Sequence, residues 1–170
     1  DLSFILISFQ NQDTQKYILF LIMGTLPAVI IGLAAKDMIT DLFDSIPMVA
    51  GSLIFTGIIL LLTQKLNRNN KQLNLKNGLL IGLTQAFAMI PGISRSGMTI
   101  STGLALGLSG KDAAKFSFLL AIPVIAGAGL LTALDTQLGS ISIPMLQLLL
   151  AFFSAFIVGT ISLKWLLGLL

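Results

Sequence analysis

Long stretches without a charged side chain dominate this sequence and restrict the folds that it can adopt. Residues 17–35 carry no charge over nineteen consecutive positions, and about 20 apolar residues suffice for a helix to cross a bilayer. Only 10% of the 170 residues are charged and 55% are hydrophobic, whereas soluble domains carry about 25% charged residues. The chain could not cover a soluble surface with polar groups, so we predict an all-α membrane protein.

We interpret the whole chain, 1–170, as a single and incomplete membrane domain with about four transmembrane helices. They are predicted at 17–35, 47–63, 116–134 and 143–163. Basic loops tend to remain on the cytoplasmic side of a membrane. The segments at 64–77 and 110–115 are therefore predicted to lie inside, and the acidic connection at 36–46 and the loop around Asp135 outside.

Residues 77–109 contain no charge except Arg95 and are split by Pro91-Gly92. Each arm would be a helix of about 20 Å, shorter than the roughly 30 Å hydrocarbon core. The charge pattern also requires this segment to enter and leave on the same side. We predict a re-entrant helix–loop–helix, whose non-helical backbone must be shielded by protein or by a wet cavity.

A weak internal similarity suggests an internal repeat. Residues 20–33 and 116–130 both place a phenylalanine seven residues before a proline. Repeated broken helices are typical of proteins with a binding site near the membrane midplane.

The loop itself, IPGISRSGMT at 90–99, has the chemistry of an anion site. Glycine permits a tight turn, the hydroxyls donate hydrogen bonds, and a helix that begins after the loop would point free N–H groups toward it. The Arg95 guanidinium can bind two phosphate oxygens at once. The candidate residues are Gly92, Ser94, Arg95, Ser96, Gly97 and Thr99, with Gln85 within reach from the first arm.

The alternative for this loop is purely structural. Serine and threonine often bond backbone carbonyls in membrane helices, and an arginine can extend its head to the interface. A charge at mid-membrane nevertheless costs at least about 2.5–3.5 kcal/mol, which favours a functional role for Arg95.

Composition argues against other classes of site. The sequence has no cysteine, histidine or glutamate, and its seven acidic residues are aspartates. No carboxylates are placed near the loop, so no metal site is predicted from the residues. The basic residues do not cluster with aromatics on a helix face, so nucleic-acid binding is not predicted.

The segment GLTQAFAMIPGISRSGMTIS resembles the second signature of the bacterial undecaprenyl-pyrophosphate phosphatases, also called bacitracin-resistance proteins. That signature reads P-G-x-S-R-S-x-x-T. Its fixed positions are matched by Pro91, Gly92, Ser94, Arg95, Ser96 and Thr99. KFSFLLAIPVIAGAGLL and GTLPAVIIGL are also similar to this family.

The resemblance implies hydrolysis of undecaprenyl diphosphate to the monophosphate and phosphate, which recycles the carrier lipid for peptidoglycan synthesis and confers bacitracin resistance. It implies two inverted repeats in the bacterial cytoplasmic membrane and a site open to the outer face. Arg95 would clamp the diphosphate, and Ser94, Ser96 and Thr99 would donate hydrogen bonds. A divalent cation (Mg²⁺ or Ca²⁺), without identified ligands here, and a homodimer are further expectations.

The sequence departs from the family pattern in one respect. The family's first repeat carries two glutamates and a histidine, and Gln85, Met89 and Met98 occupy the corresponding positions here. We therefore interpret the chain as a fragment that lacks the first repeat and the C-terminal end, with weak or no activity alone.

Two other functions remain open at this point. A transporter or flippase for an anionic lipid or solute could use the same re-entrant loop. A membrane assembly subunit could pair Arg95 with a partner's carboxylate, in which case lysine would be tolerated at this position.

Overall fold

The computed structural model describes residues 12–66, 71–135 and 144–169. Over these ranges it forms seven α-helices and no strand. The helices are α1 Gln12–Ala34, α2 Lys36–Phe43, α3 Ile46–Thr63, α4 Leu75–Phe87, α5 Arg95–Ala105, α6 Gly110–Asp135 and α7 Met145–Leu169. Four of them, α1, α3, α6 and α7, are long and apolar enough to cross a membrane. The predicted all-α polytopic membrane fold is confirmed.

Helix ends differ from the predicted spans where charged residues join a helix. Helix α1 begins before Lys16, α6 includes Lys111 and Lys115, and α7 continues beyond Lys164. Charge-free runs miss these turns because charged side chains are accommodated near the ends of a membrane helix. The short helix α2 lies in the segment predicted only as an acidic connection. Asp1, residues 67–70 of the basic segment and the loop after Asp135 lie outside the described residues.

Local capping explains where two of the helices begin. The side chain of Asn74 accepts a hydrogen bond of 2.9 Å from the N–H of Asn77 at the start of α4. Ser109 donates to the Asp112 carboxylate at 2.6 Å and accepts from the Asp112 N–H at 3.1 Å at the start of α6. Both arrangements satisfy N–H groups that have no partner within the helix.

The chain divides into two compact units, residues 1–124 and 125–170. In the first unit, α1 and α4 pack closely and run in the same direction. A Cβ at Gly78 would lie 3.2 Å from Phe20 Cβ, a Cβ at Gly82 would overlap the Gly24 backbone, and Gly32 faces the end of Met89. Small residues spaced four apart allow two helix backbones to approach this closely.

The first part of α6 completes the core of this unit. The buried cluster comprises Ile81, Leu108, Ala113, Phe116 and Leu120. Phe116 lies against Gly78 and Leu120 against Gly24, so α6 runs in the same direction as α1 and α4. Tyr17 packs edge-on against the Phe116 ring, with centroids 5.8 Å apart.

Helix α5 runs in the opposite direction. Thr99 contacts Ser117 and Gly103 contacts Ala113. Residue numbers therefore decrease along α5 in the direction in which they increase along α6. Helices α4 and α5 pack against each other and form the α4–α5 hairpin, residues 75–105. The first residues of α4 and of α6 therefore lie at the same end of the bundle, and the linker at 88–94 lies at the other.

The second unit contains the end of α6 and helix α7. The described large apolar side chains of α7 are mostly exposed, including Phe152, Phe156 and Trp165. Exposed apolar side chains on long apolar helices are expected where the surroundings are lipid.

Candidate functional site

The linker of the α4–α5 hairpin turns at Gly92, which has a positive φ of 88°. A Cβ at this position would overlap the carbonyl oxygen of Val49 and lie 2.9 Å from Ser52 Cβ, both on α3. Glycine is thus required twice, for the backbone conformation and for the close approach to α3.

We expect Gly92→Ala to destabilise the chain by about 2–4 kcal/mol, because positive φ and overlap with α3 add. The free energy of unfolding in detergent measures this effect. Gly51→Ala is the control, since a Cβ at Gly51 has nothing within 4 Å, and alanine in a helix should be neutral or stabilising. Equal stability of the two variants would contradict the packing described for the linker.

Ser94 caps the first turn of α5. Its side-chain Oγ accepts a hydrogen bond of 3.1 Å from the N–H of Gly97, and its own N–H donates to Thr56 Oγ1 at 3.2 Å. Gly97 leaves room for this cap, because a Cβ there would lie 3.0 Å from the Ser94 Oγ. The N–H groups of Arg95 and Ser96, the first two residues of the helix, have no intrahelical acceptor. The positive end of the helix dipole therefore lies at these residues.

The side chains of Arg95 and Ser96 are the accessible part of this helix start. Arg95 is half-buried and Ser96 is exposed. In the described part of the chain the Arg95 guanidinium has no hydrogen-bond or ion-pair partner. A half-buried, unpaired guanidinium next to free N–H groups has the donors and the charge to bind an anion.

Thr99 lies on the buried side of the same helix and is only 1% exposed. Its hydroxyl donates to the Arg95 carbonyl at 2.8 Å and lies 2.5 Å from Ser117 Oγ on α6. In this arrangement Thr99 holds α5 against α6 behind Arg95. A direct bond from Thr99 to a substrate stays a prediction.

Gln85 is buried on α4. By helical spacing it falls on the same side of α4 as Gly78 and Gly82, which contact α1, and it is 1% exposed. Neither its Nε2 nor its Oε1 has a hydrogen-bond partner. The structure thus brings five of the seven predicted residues together around the linker and α5 start. It places Thr99 behind them and Gln85 at a buried position on α4.

An apolar cavity of about 250 Å³ adjoins the linker. It is lined by Pro47, Met48, Gly51, Ser52, Phe55, Phe87, Ile90 and Ile93. Ile90 and Ile93 belong to the linker itself, so the cavity and the motif share a wall. The sequence analysis did not predict this cavity.

The described residues do not by themselves form a site for the divalent cation that the resemblance implies. Across residues 12–66, 71–135 and 144–169, no three acidic, histidine or cysteine side chains are close enough to hold a metal ion together. The cation stays a prediction, and no step is assigned to it.

Comparison with known families identifies the chain. Residues 3–170 match the model of the family described as bacitracin resistance protein BacA. The chain belongs to this family. The motif that surrounds Arg95 therefore lies in a BacA-family protein, as the sequence resemblance predicted.

Curated relatives agree with this assignment. An undecaprenyl-diphosphatase of Corynebacterium efficiens is 39% identical over 86% of this chain and 52% of its own length. Undecaprenyl-diphosphatase 3 of Bacillus anthracis is 39% identical over 91% of this chain and 58% of its own length. An undecaprenyl-diphosphatase of Bacteroides thetaiotaomicron is 35% identical over 96% of this chain and 64% of its own length. The chain spans between about half and two thirds of the length of these relatives.

The sequence analysis of this BacA-family chain missed the residues that hold the motif from other helices. Val49, Ser52 and Thr56 on α3 contact the linker, and Ser117 on α6 contacts Thr99. Ser52 and Thr56 are spaced by four within an apolar helix, which places both on one face. This spacing indicates a face that contacts another helix, but the indication is not specific. Thr63 on the same helix donates its hydroxyl only to a carbonyl of its own helix.

Proposed function

We propose that this chain provides the diphosphate-binding half of a bacterial undecaprenyl-diphosphatase. The whole protein would hydrolyse undecaprenyl diphosphate to undecaprenyl phosphate and phosphate, which returns the carrier lipid to peptidoglycan synthesis and confers bacitracin resistance. The observation that carries this proposal is the Arg95 guanidinium at the capped start of α5, which has no partner among the described residues. The names of the relatives support the same substrate.

In this proposal the positive start of α5 binds the diphosphate. Arg95 donates two parallel hydrogen bonds to phosphate oxygens, and the free N–H groups and the Ser96 hydroxyl donate others. These donors stabilise the negative charge that spreads over the phosphoryl oxygens during transfer. The sequence has no histidine or glutamate, so we assign the nucleophile and the acid–base group to the part of the relatives' length that this chain does not span.

We further propose that the α4–α5 hairpin is re-entrant and that its linker opens toward the outer face of the cytoplasmic membrane. Lys16, Lys76, Lys111 and Lys115 lie near the starts of the parallel helices α1, α4 and α6. This common basic end favours the cytoplasmic side. Gly32, near the end of α1, lies beside Met89, and Val49, near the start of α3, lies beside Gly92. Both contacts support a linker at the end of the bundle opposite to these lysines.

The apolar cavity beside the linker fits a lipid substrate. Its wall of isoleucine, phenylalanine and methionine side chains would shelter hydrocarbon close to the bound diphosphate. The homodimer expected from the resemblance stays a prediction, as does a divalent cation.

The test is phosphate release from undecaprenyl diphosphate in detergent, with the 170-residue chain assayed beside the full-length product of its gene. We expect the full-length product to release phosphate. Where that product is longer than the 170-residue chain, we expect the chain alone to release phosphate at least about a hundredfold more slowly, because catalysis needs a positioned nucleophile as well as charge stabilisation. Binding of the lipid without release by the full-length product would contradict hydrolysis and favour a transporter or flippase.

A further inference from the structure

One face of α3 supports the motif, although Thr56 on this face lies 38 positions before Ser94 in the sequence. The face consists of Val49, Ser52, Thr56 and Leu60. These residues follow helical spacing and contact Gly92, Ser94 and Gly97 in the same order. Helices α3 and α5 thus run in the same direction, and α3 sets the position of the linker and the first turn of α5.

Thr56 makes the one hydrogen bond in the described structure that joins this face to the motif. Its hydroxyl donates to the carbonyl of Ser52 at 3.0 Å and accepts from the Ser94 N–H at 3.2 Å. A hydroxyl has one proton and two lone pairs, so the bond to Ser52 directs a lone pair toward Ser94. Thr56 is only 5% exposed, so water has little access to replace it.

The hydrogen bonds continue from Thr56 to the start of α5. The N–H of Ser94 binds Thr56, and the side chain of the same serine caps Gly97 at 3.1 Å. Arg95 is the next residue and the first of α5. The orientation of the Ser94 peptide therefore determines the direction in which the Arg95 side chain leaves the backbone. Loss of the Thr56 acceptor would leave a partly buried N–H without its protein partner and free this peptide to reorient.

We propose that Thr56 is a positioning residue, which acts through Ser94 to aim Arg95 and the first N–H groups of α5 at the diphosphate. The inference rests on the proposed function and adds a residue from outside the motif to the same site. A valine has nearly the shape of threonine without the hydroxyl, whereas serine retains the hydroxyl.

The experiment compares Thr56→Val and Thr56→Ser in the full-length gene product, with undecaprenyl diphosphate as substrate. We expect Thr56→Val to lower kcat/KM about tenfold or more, with a rise in KM of at least about fivefold. Thr56→Ser should stay within about threefold of the wild type. Loss of folded protein alone would lower the apparent kcat at constant KM, so an unchanged KM for Thr56→Val overturns the proposal.

Thr63→Val is the matched control. Thr63 lies on the same helix and makes the same bond to its own helix, to the Ile59 carbonyl at 2.7 Å. This variant should keep the wild-type KM. A rise in KM as large as that of Thr56→Val would show a general effect of hydroxyl loss in α3 and would overturn the proposal.

Hydrogen exchange of the peptide that covers residues 90–99 gives a second measurement, which does not need activity. Thr56→Val should speed exchange in this peptide by about tenfold, and Thr63→Val should not. If the wild type releases no phosphate, the proposed function fails, and exchange still decides whether Thr56 holds the linker. Unchanged exchange in Thr56→Val would overturn the inference.

Discussion

Arg95→Ala should reduce phosphate release from undecaprenyl diphosphate by about a thousandfold or more in the full-length gene product. Arg95 is the first residue of α5 and its guanidinium is unpaired in the described part of the chain. Loss of one preorganised donor typically costs about 10²–10³ in rate, and loss of an arginine that neutralises a transferring phosphoryl group about 10³–10⁵. The measurement is steady-state phosphate release in detergent.

Arg95→Lys distinguishes a phosphate clamp from a simple positive charge. Lysine has the charge but not the planar fork that binds two oxygens, so we expect it to recover less than about a tenth of the wild-type rate. Lys111→Ala, at an exposed position early in α6, is the charge control and should keep near wild-type activity. Full activity of Arg95→Lys would contradict the clamp and favour an ion pair with a partner's carboxylate.

Gly82→Ala should destabilise the fold by about 3 kcal/mol or more. A Cβ at Gly82 would overlap the backbone of Gly24, and a backbone cannot move aside as a flexible side chain can. Overpacking typically costs about 1–3 kcal/mol and more where helices must separate. The measurement is the free energy of unfolding of the purified chain in mild detergent, followed by circular dichroism during titration with SDS.

Gly57→Ala is the matched control for this prediction. It is also a glycine inside a helix, but a Cβ there meets nothing within 4 Å. Alanine has the higher helix propensity, by up to about 1 kcal/mol, so this variant should be as stable as the wild type or more so. If Gly82→Ala unfolded at the same SDS concentration as Gly57→Ala, the close packing of α1 against α4 would be wrong.

Hydropathy predicted apolar helices long enough to cross a membrane, but not the helix faces that meet. Motif chemistry predicted a helix after the loop, whereas α5 begins within the motif, at Arg95. Runs without charge locate helices such as α1 and α3 because lipid excludes charge over a fixed thickness. Ser94 is of a residue type that caps helix starts, and it caps α5 in the structure. An apolar helix and its N-cap depend on residues that are close in the sequence, so both can be predicted from the sequence.

The contacts between helices could not be predicted from the sequence. Helix α1 is apolar on all sides, so hydrophobic periodicity does not distinguish the face toward α4 from the face toward lipid. The closeness of Gly24 to Gly82 and the bond from Thr56 to Ser94 depend on register between distant segments. Gln85, which is 1% exposed, was predicted to reach the loop from its distance along the chain, and this contact stays a prediction.

The α4–α5 hairpin also determines the order in which the protein can assemble in the membrane. The hairpin enters and leaves at one end of the bundle, and its linker has contacts on α3, while α5 is held by Ser117 of α6. Neither arm is long enough to be inserted by a translocon as an independent span. The contact of Thr99 with Ser117 can form only after α6 has been synthesised, so the proposed anion-binding site is completed late in biogenesis.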